Sequence, residues 1–371
     1  MDAPLVVVGG GPVGSTLGLM VPGSLVLEAG SFPRDKPCGE GLLPAGVEVL
    51  GGAGVDLEVA GCPAIRGIQY RAPGAPVARA TLSGTPGRGV RRLRFDSLLA
   101  ARAGVRSGCR VLGLREGPSG VEVRTEEGVL GAEAVVVAAG MGSPLVRQLG
   151  WGRPRGGAQR FGLVGHLETE GGDGDIVVTL LRSFETYLAP VGEREVLVAV
   201  LGSRGALSSG PGGREARYRR LLAASHPELA GALISGPVRG AGPFPRPVAQ
   251  VASGRIFLAG DASGFLDPLT GDGITAGLQQ AEFLARALAD DLPSAAARYR
   301  RWHRAQWRRR WLVGYLARQL SGHPSLTQRA LGGLASRPLA LERLIMVSQG
   351  TSGWGALGVA DWAALLNWGQ R

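Results

Sequence analysis

Two groups of residues near the N-terminus have the types and spacing to hold a phosphorylated ligand: Gly9-Gly10-Gly11-Pro12-Val13-Gly14, and Glu28 fourteen positions beyond the last glycine. In a GxGxxG run between a strand and a helix, Gly9 permits the tight turn. Gly11 lets backbone approach a pyrophosphate, and Gly14 lets helix and strand pack closely. The helix start then turns free N–H groups and its positive dipole end towards the phosphates. A carboxylate ending the second strand, Glu28, accepts ribose hydroxyls and would repel a 2′-phosphate. These residues point to FAD or NAD and leave the choice between them open.

The choice is made further along the chain. Leu258-Ala259-Gly260-Asp261-Ala262, followed by Pro268 and Gly271-Asp272-Gly273, resembles the second FAD fingerprint of the para-hydroxybenzoate hydroxylase-like flavoproteins. On that resemblance Asp261 bonds the ribityl hydroxyls, Gly271 and Gly273 bring backbone to the flavin ring, and the helix opening at Ile274 aims its dipole at the reducible end. Residues 135–147 resemble the middle motif of the same family, with Ala139-Gly140 where an Asp-Gly pair is usual. Arg34-Asp35-Lys36-Pro37-Cys38-Gly39-Glu40-Gly41 resembles the KPCGxG segment of the geranylgeranyl-reductase-related branch. Arg92 to Asp96 and Tyr187-Leu188-Ala189-Pro190 also match. The first helix is about four residues short for the family, close to one turn, so its buried face can stay in register. The cofactor set implied by the resemblance adds Pro12, Val13, Ala29, Arg34, Cys38, Gly39, Gly41 and Arg94 to the residues above.

The resemblance implies an FAD-dependent oxidoreductase acting on a hydrophobic or aromatic small molecule, with NADH or NADPH as reductant. Within the family, monooxygenases use reduced flavin and O2, whereas geranylgeranyl reductases saturate isolated alkenes in prenyl chains. The reductases carry a YxWxFP strand, and here Leu188-Ala189-Pro190 follows Tyr187 without Trp or Phe, so monooxygenation leads and prenyl-chain reduction is the alternative. Halogenases carry WxWxIP, and none of the seven tryptophans sits in one. The alanine at 139 also allows a flavin-binding protein without turnover. Candidate catalytic groups are Cys38 as a thiol beside the flavin, His166 in a strand, and Tyr187 over the ring; each has an alternative packing role.

Several elements must position these residues. Residues 5–8 form an all-apolar run suited to a central parallel strand, with a helix from about Gly14 and a second strand at 25–27. Residues 62–82 predict a pair of strands, 95–103 a helix, 105–129 a β-meander, and 134–137 another buried strand. Strands at 161–167, 176–181, 187–189 and 196–201 predict a separate antiparallel sheet. A parallel strand at 256–258 and a helix at 274–288 return to the first unit, and the chain is helical beyond Pro293. The expected fold is α/β: a Rossmann-like FAD-binding domain (1–61, 90–158, 241–295) interleaved with an antiparallel β-sheet substrate domain (62–89, 159–240), plus C-terminal helices (296–371).

Composition sets the remaining bounds. With 41 basic and 30 acidic residues the formal charge is +11, but Lys36 is the only lysine. Together with 62 glycines, that pattern suits the coding bias of a GC-rich genome; the other reading is an anionic partner. No nucleic-acid motif accompanies the charge. Cys38, Cys62 and Cys109 form no CxxC, and His166, His226, His303 and His323 are scattered. That pattern predicts reduced thiols, no metal centre and a cytoplasmic chain. No signal peptide is expected, because a strand starts by Leu5. Residues 298–310 hold seven arginines and no acid, with Tyr299, Trp302, Trp307, Trp311 and Tyr315 interleaved. That helix either packs its aromatics on the FAD domain, the favoured reading, or contacts a membrane surface or an acidic carrier protein.

Overall fold

In the computed structural model, which describes residues 3–154, 156, 158–169, 174–208 and 210–366, alternate stretches of the chain feed two large sheets. The first sheet runs in the order Ala252–Ser253, Ile256–Leu258, Gly128–Val137, Ala3–Val8, Leu25–Glu28, Arg106–Ser107. The four strands from Ile256–Leu258 to Leu25–Glu28 pair in parallel, with Val6 and Val7 fully buried beside Val135 and Val136. Each such side chain stabilises the fold by roughly 1.5–3 kcal/mol. Parallel strands covered on both faces need no polar alternation, which is why the apolar run at 5–8 was readable.

The expected strand at 134–137 is the second half of a single ten-residue strand, Gly128–Val137. Its first half pairs antiparallel with Gly120–Thr125, and its second half lies parallel to Ala3–Val8. One extended segment therefore serves both the meander and the nucleotide-binding sheet.

The second sheet has the order Arg239–Phe244, Arg160–Glu168, Glu195–Ser203, Phe184–Gly192, Asp175–Leu180, Gly67–Arg71, Ala78–Thr81. It is not wholly antiparallel as the pattern suggested. Gly67–Arg71 lies parallel to Asp175–Leu180, because it reaches the sheet by a crossover from the first unit. The strand Arg239–Phe244 keeps residues 241–244 in this sheet.

The first helix, Pro12–Met20, has proline in its opening turn, where the missing N–H costs nothing. It stops after nine residues, and Val21 N–H closes on the Leu17 carbonyl. The helix Gly273–Asp290 packs against it. Four further helices follow: Leu292–Ser321, Pro324–Ser336, Pro338–Gln349 and Val359–Leu366. Among the described residues no helix is long and apolar enough to cross a membrane.

Candidate cofactor and substrate site

Gly9 leaves the first strand at a φ of +111°, and a Cβ there would lie 2.5 Å from the Ala138 carbonyl oxygen. At Gly14 a Cβ would overlap the Gly9 carbonyl, so helix and turn touch backbone to backbone. Gly11 differs: the only atom within 4 Å of its Cβ position is in the Arg34 guanidinium, at 3.6 Å. The turn is thus closed on two sides and open on the third. That open side lines a cavity of about 570 Å3, which runs from the phosphate turn to the second sheet.

Glu28 closes the first end of this cavity. One carboxylate oxygen accepts from Gly10 N–H at 2.8 Å, and the other from Gly30 N–H at 2.9 Å and Arg34 at 2.7 Å. Burial works against its ionisation, but the Gly30 amide, Arg34 and the Gly10 amide outweigh it and hold the carboxyl below its usual range. Three donors leave a carboxylate room for about one more, such as a ribose hydroxyl. Ala29 lines the wall beside it.

Four cations line the cavity: Arg34, at the open side of the turn, Lys36, Arg92 and the exposed Arg110. Lys36 and Arg92 were not among the expected site residues, although Lys36 lies inside the quoted KPCGxG segment. Arg92 makes a bidentate pair with buried Asp96 at 2.6 and 2.8 Å. The expected contact at Arg94 is corrected. Arg92 opens the helix Arg92–Arg102, and two residues along a helix turn a side chain by about 200°. Arg94 is therefore exposed while Arg92 faces the cavity.

The second fingerprint forms the middle of the cavity. Gly260, Asp261, Pro268, Gly271, Gly273 and Ile274 all line it. Burial pushes the Asp261 carboxyl up, against the pull of Arg92 and Lys36. Among the described residues that carboxylate accepts no hydrogen bond, so it presents unused acceptors to the cavity. Asp272 is corrected as a cofactor contact: its carboxylate turns away to pair with Arg310 at 3.0 Å. Ala139, Gly140 and Ser143 line the wall opposite, and the buried Ser143 hydroxyl has no partner.

At the far end the second sheet supplies Gly162, Val164, Ala199, Leu201, Ala241 and Phe244, all uncharged. Tyr187 joins them, its hydroxyl buried and without a hydrogen bond. Gly39, Gly41 and Gly271 crowd that ring: a Cβ at Gly271 would sit 2.9 Å from Tyr187 Cε2, and one at Gly39 3.0 Å from Cε1. These glycines line the cavity and also make room for the tyrosine. Cys38 also lines the cavity, and burial raises its thiol pKa.

His166 is not part of the chamber. Its Nε2 lies 2.9 Å from Glu40 Oε2, and Glu40 is also held by Arg91 at 3.3 Å. Arg91 in turn binds Asp35. The strand histidine belongs to a buried ionic cluster that meets the cavity through Glu40, which lines it.

The donor set fits FAD. Bound FAD would place its diphosphate against the cations and the helix N-terminus, and its adenosine ribose against Glu28. The unsatisfied Asp261 carboxylate would then accept from the ribityl chain, and the apolar end would take the ring. Comparison with known proteins agrees: a family described as FAD binding domain matches residues 2–300. The chain belongs to that family. It is an FAD-dependent oxidoreductase of the para-hydroxybenzoate hydroxylase-like flavoproteins. It is 29% identical over 328 residues to a menaquinone reductase of Mycobacterium tuberculosis, covering 77% of this chain and 76% of that one. It is 28% identical over 309 residues to a dialkyldecalin synthase of Streptomyces rugosporus, covering 78% and 65%. A solved flavoprotein/dehydrogenase from Cytophaga hutchinsonii shares the fold with a TM-score of 0.83 at 18% identity, over 94% of this chain and 93% of that one.

Proposed function

We propose that this flavoprotein reduces an apolar unsaturated substrate of the prenylquinone type, with NADH or NADPH as the source of electrons. The observation that carries this reading is the character of the far end of the cavity. The strands there contribute no acid and no histidine, and the two protic groups, the Tyr187 hydroxyl and the Cys38 thiol, both have raised pKa values. Both stay protonated at neutral pH. The chamber therefore offers hydrogen-bond donors to a carbonyl or an electron-rich double bond, while the Glu40 carboxylate, which also lines the cavity, is already engaged by His166 and the Arg92 amide.

Bound, reduced FAD supplies the hydride. The chain's own residues do the rest. The apolar strands exclude water and shape the space over the ring. Tyr187, gripped by three glycines, holds its O–H where a substrate oxygen can accept it, and Cys38 stands by as a second proton source. The product carries one hydride and one proton more than the substrate, and NAD(P)H bears the net oxidation. A relative named menaquinone reductase supports this substrate class, and one named dialkyldecalin synthase supports an apolar ligand.

Monooxygenation of a similar substrate is the second reading, favoured by the absence of Trp and Phe after Tyr187. Anaerobic mixing of the NAD(P)H-reduced protein with a short-chain menaquinone tests the two. Reoxidation of the flavin with a product gaining two hydrogens is expected. Turnover that requires O2 and incorporates label from labelled dioxygen would replace the reductase reading with the monooxygenase one. A flavin that no reductant and substrate pair can cycle would leave a binding protein.

A further inference from the structure

The helix Leu292–Ser321 carries no acidic residue along its thirty positions. Arg301, Arg304, Arg308, Trp311, Tyr315 and Arg318 recur in alternating steps of three and four, so they form one stripe along the helix. All six are exposed. The opposite side is buried: Ala295, Ala296, Tyr299 and His303 pack inward, and Arg310 binds Asp272. The fold therefore sorts the arginines of this helix into an outer row and inward-tied members.

Two features set the outer row apart from ordinary solvated charge. Among the described residues Arg301, Arg304 and Arg308 have no ion-pair partner, whereas Arg298 in the same helix binds Asp290. The row also ends in stacked aromatics, Trp311 and Tyr315, with ring centroids 5.2 Å apart and exposures of 49% and 46%. Exposed Trp and Tyr beside arginine suit the water–lipid boundary, where apolar ring and polar edge are both accommodated.

Behind the aromatic pair lies a second cavity of about 170 Å3, walled by Trp307, Trp311 and Tyr315. It shares Phe265, Asp261, Gly260 and Gly273 with the larger cofactor cavity. The exposed end of the stripe thus stands one wall of residues away from the cofactor cavity.

We propose that the stripe from Arg301 to Arg318 is a docking face for an anionic lipid bilayer. The arginines meet the phosphate headgroups and Trp311 and Tyr315 enter the boundary layer. An acidic protein would satisfy the arginines but would not call for exposed stacked aromatics beside them. Docking there would hold the cofactor cavity close to the bilayer in which a lipid-soluble substrate is dissolved, a consequence that rests on the reductase reading.

The test is co-sedimentation of the full-length, FAD-loaded protein with phosphatidylglycerol–phosphatidylcholine vesicles and with pure phosphatidylcholine vesicles. Binding to the anionic vesicles that weakens as salt rises is expected. R304A/R308A should weaken it about thirtyfold, because two cations no longer reach the headgroups. W311S should weaken binding and lessen the residual affinity at high salt. R182A/R194A, at two exposed turns between strands of the second sheet, should leave binding unchanged. Equal binding to neutral vesicles, binding to neither, or equal weakening by both double substitutions would overturn the proposal. Vesicle binding is read without turnover. A protein that docks but reduces no quinone fails only the earlier reading, and one that reduces dispersed quinone but ignores vesicles fails only this one.

Discussion

At one end of the cavity Glu28 is held by three donors and Arg92 grips Asp96 with two hydrogen bonds; at the other, the Tyr187 hydroxyl is buried with no partner. The nucleotide end is built in its binding geometry by contacts within the protein. The chamber over the ring is built by shape, with its polar atom left for whatever arrives. Charge and backbone contact tolerate little change, whereas an apolar roof of flexible side chains tolerates more. The two ends should therefore respond differently to equivalent substitutions.

The largest effect is expected at Arg92. Arg92→Ala strips the buried Asp96 carboxylate of both guanidinium hydrogen bonds and leaves it only Arg34, 3.7 Å away, which typically costs about 3–5 kcal/mol, and it removes a cation from the cavity wall. Thermal unfolding should show the loss, and the purified variant should retain little FAD. Arg94→Ala, two residues on and exposed, should change stability by no more than about 0.5 kcal/mol. Similar effects from both would mean that Arg92 does not hold the site.

Glycine substitutions compare backbone with side-chain resistance. Gly14→Ala drives a Cβ into the Gly9 carbonyl, which cannot move without opening the phosphate turn; about 1–3 kcal/mol of destabilisation and loss of the yellow colour are expected. Gly162→Ala, in the sheet over the ring, meets the end of the Leu201 side chain at 3.2 Å and should keep its flavin. If both variants purify equally yellow, the contrast between a rigid end and a yielding one fails.

Tyr187→Phe sharpens the contrast from the other side. It removes a hydroxyl that has no partner in the folded protein, so stability should hold or rise by up to about 1 kcal/mol. FAD retention should be unchanged. Turnover should fall by about 100-fold if the O–H donates to substrate in the transition state. A variant with full kcat would place the donor elsewhere and leave Tyr187 as packing.

What was legible in the sequence divides along the same line. Gly9, Gly11, Gly14 and Glu28 act through neighbours a strand or a turn away, and their spacing carries the geometry. Asp261 and its glycines form a second local pattern. Arg92 was missed in favour of Arg94 because the facing of a helical residue depends on where the helix begins, which the pattern placed at 95 and the structure at 92. His166 reads as a candidate catalyst until Glu40, 126 residues earlier in sequence, is seen beside it. Asp272 turns outward only because Arg310 waits on a helix beyond the fingerprint. The parallel pairing of Gly67–Arg71 with Asp175–Leu180 likewise has no local signal. Spacing reports contacts made within one supersecondary unit; partners brought together by the fold leave no spacing to read.

The smallest expected effect concerns pH, and it also separates the two ends. Glu28 is ionised in the folded protein with its pKa below the ordinary 4.5, so the unfolded chain takes up its proton first as pH falls. The stability this carboxylate contributes is complete above about pH 4.5 and is lost as pH falls through the folded value. Asp35, also held down in the folded state despite its burial, acts in the same direction. Tyr187 and Cys38 are shifted upwards and stay neutral across this range, so the chamber over the ring adds nothing to the acid slope. Glu28→Gln keeps one acceptor oxygen, for either the Gly10 or the Gly30 amide but not both, and loses the charge opposite Arg34. It should lower the melting temperature slightly at neutral pH and flatten the decline between about pH 5 and pH 3. Tyr187→Phe should leave that decline as steep as in the parent protein. Equal slopes in the parent and Glu28→Gln would show that carboxylates other than Glu28 govern the acid limb, and that the nucleotide end is held by backbone geometry more than by charge.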